Sequence, residues 1–279
     1  MLAMPLPTTE ICQRIAAATW RIIIVEAGPP QKLVSFGTAF AVSPSGLLLT
    51  ARHVVSNGRS FYCQPIPCLG NQADETKLYR PITDADLSID TGAKETKPFP
   101  IDLAVLAPVV SESKPCAYLP LRRDLLEVGH DVIVAGYAKD IPHPLFMDEH
   151  VDTRTFEGMD MQKRFQQSYG LRQLFAKKTM IGARWGLTMN NYPLQGSTVQ
   201  AAQYIYGTDL VEGASGGPVV DMDGKVAAVI SRRGTAELSG YELSTTDGRS
   251  LSTLPTSSGT AFSHNLVTSM FAASDVYYE

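Results

Sequence analysis

Three short stretches of the sequence carry residue types that acyl-transfer chemistry uses. Ser215 stands among three glycines, whereas His53 and Asp102 each lie at one end of an apolar run. Amide hydrolysis by a serine needs a nucleophilic hydroxyl, a base that takes its proton and an acid that orients the base. It also needs donors that stabilise the oxyanion of the tetrahedral intermediate. The sequence offers a candidate for each of these parts.

Ser215 is the candidate nucleophile because of the residues around it. Gly213, Gly216 and Gly217 provide backbone that can take a positive φ, and they let a substrate or a neighbouring loop approach closely. We expect the N–H groups of Gly213 and Ser215 to form a two-donor oxyanion hole. Pro218 then begins a strand at a position where its missing N–H costs little. The alternative interpretation of this stretch is a glycine-rich hairpin turn.

His53 and Asp102 are the candidate base and orienting acid. His53 follows a predicted strand, and an imidazole can accept and return a proton near neutral pH. Asp102 enters an apolar strand, and burying an unpaired charge there costs several kcal/mol. Donation from the Nδ1–H group of His53 would satisfy it. Other residues of these types are expected in turns, loops, helices or water: Asp84, Asp86, Asp90, His130, His143, His150 and His264.

The pattern of the chain predicts an all-β protein with short helices near its two ends. Short apolar runs alternate with turn residues, and the strand–helix alternation of a parallel α/β sheet is missing. Thr8-Thr9-Glu10 predicts a capped helix start, and Ser263–Ala273 predicts a C-terminal helix. The clearest predicted strands are Trp20–Glu26, Phe36–Val42, Leu47–Thr50, Leu103–Ala107, Val132–Ala135, Val219–Val220 and Lys225–Ser231.

Two polar segments interrupt this pattern. Asn71–Pro100 is rich in charges and is expected to be a long surface excursion. Residues 139–170 are expected to be a partly helical insertion, because Met161, Phe165 and Tyr169 recur at helical spacing. The insertion either packs on the barrel as a solvated elaboration or, with the basic residues up to 178, forms a lid or a docking element for a regulatory partner.

Composition excludes several classes of function. The formal charge of −4 argues against nucleic-acid binding driven by overall charge. Apolar runs are too short to span a membrane, and the N-terminus does not resemble a signal peptide, so we expect a cytoplasmic protein with no membrane partner.

The four cysteines form neither a CxxC motif nor a Cys/His cluster, so we expect no metal and no cofactor. Four free thiols are expected, with a Cys63–Cys68 pair as the alternative.

Several stretches occur in the order found in one family. The chain resembles the trypsin-like serine peptidases of the chymotrypsin fold, and it is most similar to compact bacterial HtrA-like members that lack a PDZ domain. The matching stretches are Gly37–Val42, Leu49–Val55, Ile101–Leu106, Val128–Tyr137, Gly213–Val219, Val226–Ser231 and Ser258–Phe262.

The resemblance implies two six-stranded antiparallel β-barrels with the active site in the cleft between them. His53 and Asp102 would come from the first barrel and Ser215 from the second. The expected organisation is an N-terminal helix over residues 1–19, a first barrel over 20–122, a second barrel over 123–265 that includes the insertion, and a C-terminal helix over 266–279.

The resemblance also implies the reaction, a serine endopeptidase that acts through an acyl-enzyme intermediate. We expect a regulated protease with a limited set of protein substrates, each bound as an extended strand against Ser231, Arg232 and Arg233. By its position, Asp209 matches the base of the primary pocket in enzymes that cut after Lys or Arg. HtrA-like members build that wall differently, and the two arginines leave room for an acidic preference, so basic, small or aliphatic, and acidic side chains stay open.

Two other functions are compatible with the same residues. One is a catalytically retired peptidase fold that binds peptides or acts as a scaffold. The other is an esterase that uses the same three side chains on an ester.

Overall fold

The structure is a computed structural model. It describes residues 6–26, 32–55, 61–65, 77–82, 88–89, 99–110, 115–137, 174–190, 195, 198–207, 213–237, 243–244, 250–251 and 253–268. The first half of this part of the chain contains the helices α1 (Thr8–Ala18) and α2 (Arg52–Val55) and the strands β1 (Thr19–Glu26), β2 (Lys32–Ala41), β3 (Leu48–Thr50), β4 (Phe61–Pro65), β5 (Lys77–Pro81), β6 (Ser88–Ile89), β7 (Phe99–Pro100) and β8 (Ala104–Pro108).

The second half is built mainly from longer strands. These are β9 (Asp131–Tyr137), β10 (Leu174–Asn190), β11 (Thr198–Tyr206), β12 (Pro218–Asp221), β13 (Val226–Glu237), β14 (Leu243–Ser244), β15 (Ser250–Leu251) and β16 (Thr253–Ser263), followed by helix α3 (Asn265–Thr268).

The first barrel closes in the strand order β1-β2-β3-β8-β5-β4. All its pairings are antiparallel, and β4 returns to β1 with Ile22 opposite Cys63. Its interior holds Trp20, Ile22, Leu48, Tyr79 and Leu106, all buried. Because successive side chains of a strand point to opposite faces, each strand presents its other face to solvent or to the second barrel.

The second barrel closes in the strand order β10-β11-β16-β13-β12-β9, again with antiparallel pairing throughout. Tyr204, Tyr206, Val219 and Ile230 are fully buried in its interior. The predicted all-β fold with two six-stranded antiparallel barrels is therefore confirmed. The division of the chain into domains at the expected boundaries stays a prediction.

Helix α1 helps to seal the seam between the barrels. Ile11 and Ile15 are fully buried in a cluster that contains Phe40 of the first barrel and Val229 of the second. The helix starts at Thr8 after Pro7, whose carbonyl oxygen accepts hydrogen bonds from two N–H groups of the first turn. The predicted side-chain cap is therefore wrong, because both threonines lie inside the helix and no side chain caps it.

Two predictions about polar segments need correction. The segment Asn71–Pro100 contains β5, a barrel strand, in addition to the short β6 and β7. Only Tyr79 of β5 is buried, so the strand has too few apolar residues to stand out in the sequence. Residues 174–178, the end of the proposed docking element, belong to β10. The insertion at residues 139–170 and the C-terminal chain after Thr268 lie outside the described residues.

Candidate active site

His53 is positioned by the junction of β3 and α2. The three residues of β3 are all buried, and the chain then forms one helical turn in which Val54 and Val55 pack inward. Val54 fits against the α-carbon of Gly37, where a Cβ would overlap its methyl groups. The inward valines turn the His53 side chain outward, and 41% of that side chain is exposed.

Asp102 lies just before β8, between buried neighbours, and is only 9% exposed. Its Oδ1 accepts the backbone N–H of His53 at 2.8 Å. Its Oδ2 accepts Nδ1 of His53 at 2.7 Å and the hydroxyl of Ser231 at 2.5 Å. The structure thus brings the predicted base and acid into direct contact.

The contacts of Asp102 define its charge and the tautomer of its partner. Burial raises the pKa of Asp102, but the hydrogen bonds from His53 and Ser231 outweigh that effect and hold the pKa below its usual value. An ionised carboxylate only accepts hydrogen bonds, so Nδ1 of His53 carries the proton. In the neutral imidazole, Nε2 is then left as the basic nitrogen.

Ser215 lies in a tight loop between the two barrels. Gly213 and Gly216 on either side of it have φ of +98° and +86°, so two of the three glycines expected to allow left-handed backbone adopt it, and Gly217 does not. The N–H of Gly216 donates to the carbonyl oxygen of Ile230 at 2.8 Å, and the N–H of Gly217 donates to that of Ala214 at 2.9 Å. The loop is therefore tied to β13 before β12 begins.

The hydroxyl of Ser215 donates to the carbonyl oxygen of Ser231 at 3.2 Å. Because the side chain of that same Ser231 touches Asp102, one residue links the nucleophile candidate to the acid candidate. The structure thereby gathers His53, Asp102 and Ser215 around Ser231. In this rotamer the Ser215 hydroxyl is directed at the carbonyl of Ser231, and rotation about χ1 changes its partner.

The two N–H groups expected to stabilise an oxyanion remain available. Among the described residues, neither Gly213 nor Ser215 donates its N–H to the protein. The carbonyl of Ala214 is held by Gly217, and a trans peptide points its N–H away from its carbonyl. The Ser215 N–H therefore faces away from Gly217.

Ser231 was predicted only as a substrate-binding residue, and its contact with Asp102 was missed. The two residues are 129 positions apart, and no spacing rule connects them. The available signal is a small hydroxyl residue at the end of the apolar run Val226–Ile230, where it is 2% exposed. A buried hydroxyl needs a partner, and the buried carboxylate supplies one.

The remaining predicted substrate residues are described only in part. Arg232 and Arg233 continue β13 and pair with Thr260 and Gly259 of β16. Asp209 lies outside the described residues, so its place at the primary pocket stays a prediction.

Cysteines and acidic residues add no further site to the described part of the chain. No group of three or more His, Cys, Asp or Glu side chains is close enough there to hold a metal ion. Cys12, Cys63 and Cys116 are free thiols, and Cys68 lies outside the described residues. Burial raises the pKa of Cys63, which makes it a poor nucleophile. None of the described helices is long and apolar enough to cross a membrane.

Comparison with known proteins identifies the family. The family model of the trypsin-like peptidase domain matches residues 37–229, which include all three candidate side chains. The chain belongs to the trypsin-like peptidase family. It is a serine endopeptidase, as the resemblance of its motifs implied.

Solved structures show the same fold. The inactive form of the Rv3671c protease is 17% identical over 96% of this chain and 95% of that chain, with a TM-score of 0.51. The active form of the same protease, from M. tuberculosis, is 18% identical over 99% of this chain and 89% of that chain, with a TM-score of 0.50. No curated protein matches the sequence.

Proposed function

We propose that Ser215, His53 and Asp102 act as a catalytic triad that hydrolyses peptide bonds through an acyl-enzyme intermediate. The contact between His53 and Asp102 carries this proposal. With Nδ1 bound to an ionised carboxylate at 2.7 Å, the imidazole has the tautomer and the orientation that a general base needs. The Ser231 bridge, which touches both Asp102 and Ser215, adds the nucleophile to the same cluster.

The first half of the reaction forms the acyl-enzyme. The Ser215 hydroxyl leaves the carbonyl of Ser231 by rotation about χ1, a motion that takes picoseconds to nanoseconds for an unhindered side chain. Its oxygen attacks the substrate carbonyl while its proton passes to Nε2 of His53. Asp102 stays ionised and stabilises the imidazolium. The N–H groups of Gly213 and Ser215 bind the oxyanion, each contributing about 3 kcal/mol in comparable enzymes.

The second half releases the products. His53 gives its proton to the leaving amine, so the peptide bond breaks and the amine departs. His53 then takes a proton from water, whose oxygen attacks the acyl group on Ser215. Collapse of that second tetrahedral intermediate returns the proton to Ser215 and frees the carboxylic acid.

The substrate binds as an added antiparallel strand along residues 231–233. Here β13 pairs on one side with β16, at Arg232 opposite Thr260 and Arg233 opposite Gly259. On the other side, the pairing of β13 with β12 ends at Pro218 opposite Val229. Among the described residues, no strand pairs with residues 231–233 on that side, and this edge gives main-chain hydrogen bonds to an extended peptide, which is the usual mode of strand addition.

We also propose that the enzyme is regulated and cuts a limited set of protein substrates. Asp209, Arg232 and Arg233 are the candidates that select the substrate side chain before the cut. Asp209 favours Lys or Arg, the two arginines favour an acidic residue, and a pocket without their participation favours small or aliphatic residues. A peptide library varied at the residue before the cut distinguishes these cases. The variants Asp209→Asn and Arg232→Ala then show which side chain sets the preference.

A fluorophosphonate probe tests the triad directly. We expect the wild-type protein to be labelled at Ser215, and we expect Ser215→Ala and His53→Ala to lose labelling. On the best library peptide, Ser215→Ala should reduce turnover by about 10⁶-fold because the triad acts as a unit. Labelling of a different serine, or a Ser215→Ala variant that retains a tenth of wild-type activity, would refute the assignment.

A further inference from the structure

A threonine of the first barrel holds the loop that carries the nucleophile of the second. Thr38 lies in β2 and is fully buried. Its Oγ1 donates to the carbonyl oxygen of Gly213 at 2.7 Å and accepts the N–H of Tyr137, the last residue of β9, at 2.9 Å. Its own N–H donates to the carbonyl oxygen of Ser215 at 2.9 Å. Both residues of the proposed oxyanion hole therefore have their carbonyl groups bound to Thr38.

Gly213 needs such an anchor because it is a glycine. It sits at φ +98°, but a glycine adopts negative φ about as readily, so its own backbone does not keep this conformation. The peptide that follows Gly213 is planar, and the hydrogen bond from Thr38 fixes that plane. With the plane fixed, the φ and ψ of this one residue determine where its N–H points.

The seam around Thr38 is too tightly packed for water to replace its hydroxyl. A Cβ on Gly216 would overlap the Thr38 carbonyl oxygen and the Thr50 hydroxyl, and a Cβ on Gly136 would lie 2.6 Å from the α-carbon of Ala214. Water needs a cavity of its own volume together with polar partners. Removal of the hydroxyl would therefore leave the buried carbonyl of Gly213 without a donor, and such a group turns toward any donor it can reach.

We propose that Thr38 is a positioning residue that sets the oxyanion hole by holding the Gly213 carbonyl. This inference rests on the proposed function, because it assigns the Gly213 and Ser215 N–H groups to the oxyanion. Thr38 does not touch the substrate. Thr38 acts through Gly213. Because Thr38 belongs to the first barrel, the geometry of the oxyanion hole also depends on how the first barrel docks on the second.

The rate of fluorophosphonate labelling tests this role, since the phosphoryl oxygen of the probe occupies the oxyanion position as the serine–phosphorus bond forms and fluoride leaves. Thr38→Val keeps the shape and removes the hydroxyl, whereas Thr38→Ser keeps the hydroxyl. Thr19→Val is the matched control, because Thr19 is also buried and donates its hydroxyl to a backbone carbonyl, that of Ile15, at 2.7 Å. Each rate is normalised to the folded fraction measured by circular dichroism.

We expect Thr38→Val to lower the maximal labelling rate by between about tenfold and 10³-fold, the range for a weakened or lost oxyanion donor. The probe concentration at half-maximal rate should change less than twofold, because binding before bond formation does not use the oxyanion hole. Thr38→Ser and Thr19→Val should label within threefold of wild type. If Thr38→Val does not fold, Thr38→Ala replaces it with the same expectation.

The outcomes separate this proposal from the proposed function. If Thr38→Val labels within twofold of wild type while Ser215→Ala is not labelled, the triad stands and the role of Thr38 is wrong. Equal losses in Thr38→Val and Thr19→Val would also overturn it, since they would reflect a general loss of packing. Wild-type protein that does not label at Ser215 overturns both proposals.

Discussion

Gly216 and Gly129 offer a matched pair for measuring how closely the two barrels approach each other. Both have left-handed backbone, with φ of +86° and +90°. A Cβ on Gly216 would overlap the carbonyl oxygen of Thr38 and the hydroxyl of Thr50, and it would lie 3.0 Å from the backbone nitrogen of Ala51. A Cβ on Gly129 meets no atom within 4 Å. Alanine at the two positions therefore differs in steric contact while sharing the same backbone strain.

The expected losses of unfolding free energy follow from this difference. Left-handed backbone costs a non-glycine residue about 1–2 kcal/mol, which is the full expected loss for Gly129→Ala. Overpacking adds about 1–3 kcal/mol, so Gly216→Ala should lose about 2–5 kcal/mol in total. Urea unfolding followed by circular dichroism measures both. Gly216→Ala should also slow fluorophosphonate labelling, because Gly216 adjoins Ser215, whereas Gly129→Ala should label at the wild-type rate.

Equal losses of stability in the two variants would refute the reasoning. They would mean that the nucleophile loop does not pack against the backbone of the first barrel at Gly216. Faster labelling of Gly216→Ala would also contradict the reasoning, because it would mean that Ser215 reacts faster when its loop is moved away from Thr38.

Three further predictions concern single buried groups. Asp102→Asn should lower kcat on the best library peptide by about 10⁴-fold, because an amide favours the wrong tautomer of His53, and a loss below tenfold would contradict the orienting role. His264 is fully buried, and burial lowers its pKa to about 4. Between pH 6.5 and about 4, this histidine is therefore protonated in the unfolded chain but neutral in the folded protein. Stability should therefore fall by about 3 kcal/mol as the pH drops through that window, and urea titrations should show a flatter profile in His264→Gln. Tyr206→Phe should raise the unfolding free energy by about 1 kcal/mol, because the buried Tyr206 hydroxyl has no hydrogen-bond partner among the described residues; a measured loss would show that the hydroxyl is satisfied.

The strand predictions succeeded where consecutive residues form a short apolar run. β3 and β12 are buried along their whole length, and the sequence shows both as apolar runs. β5 was missed because Tyr79 alone is buried, and it packs edge-on against Trp20 with ring centroids 5.7 Å apart. β10 was missed because only Ile181 of its described side chains is buried, so neither strand has a clear period of two.

Prediction of the site was limited in a different way. Local signals pointed to Ser215, His53 and Asp102 as candidates, because glycines around a serine and a polar residue at the end of an apolar run are visible in a few positions of sequence. Ser231 and Thr38 carry no such signal. A serine and a threonine in apolar strands have many possible partners, and only the packing of the barrels determines which one each hydroxyl meets.

The sequence alone determined the family, the all-β class and the residue types available for acyl transfer. These properties depend on apolar runs and glycines that lie within a few consecutive residues. Tertiary structure alone decided that Asp102 receives hydrogen bonds from both His53 and Ser231, and that Thr38 of the first barrel holds Gly213 of the second. These contacts join residues from 49 to 175 positions apart. The pairing of β3 with β8 inside the first barrel brings His53 to Asp102. The docking of the two barrels brings Ser231 to Asp102 and Thr38 to Gly213.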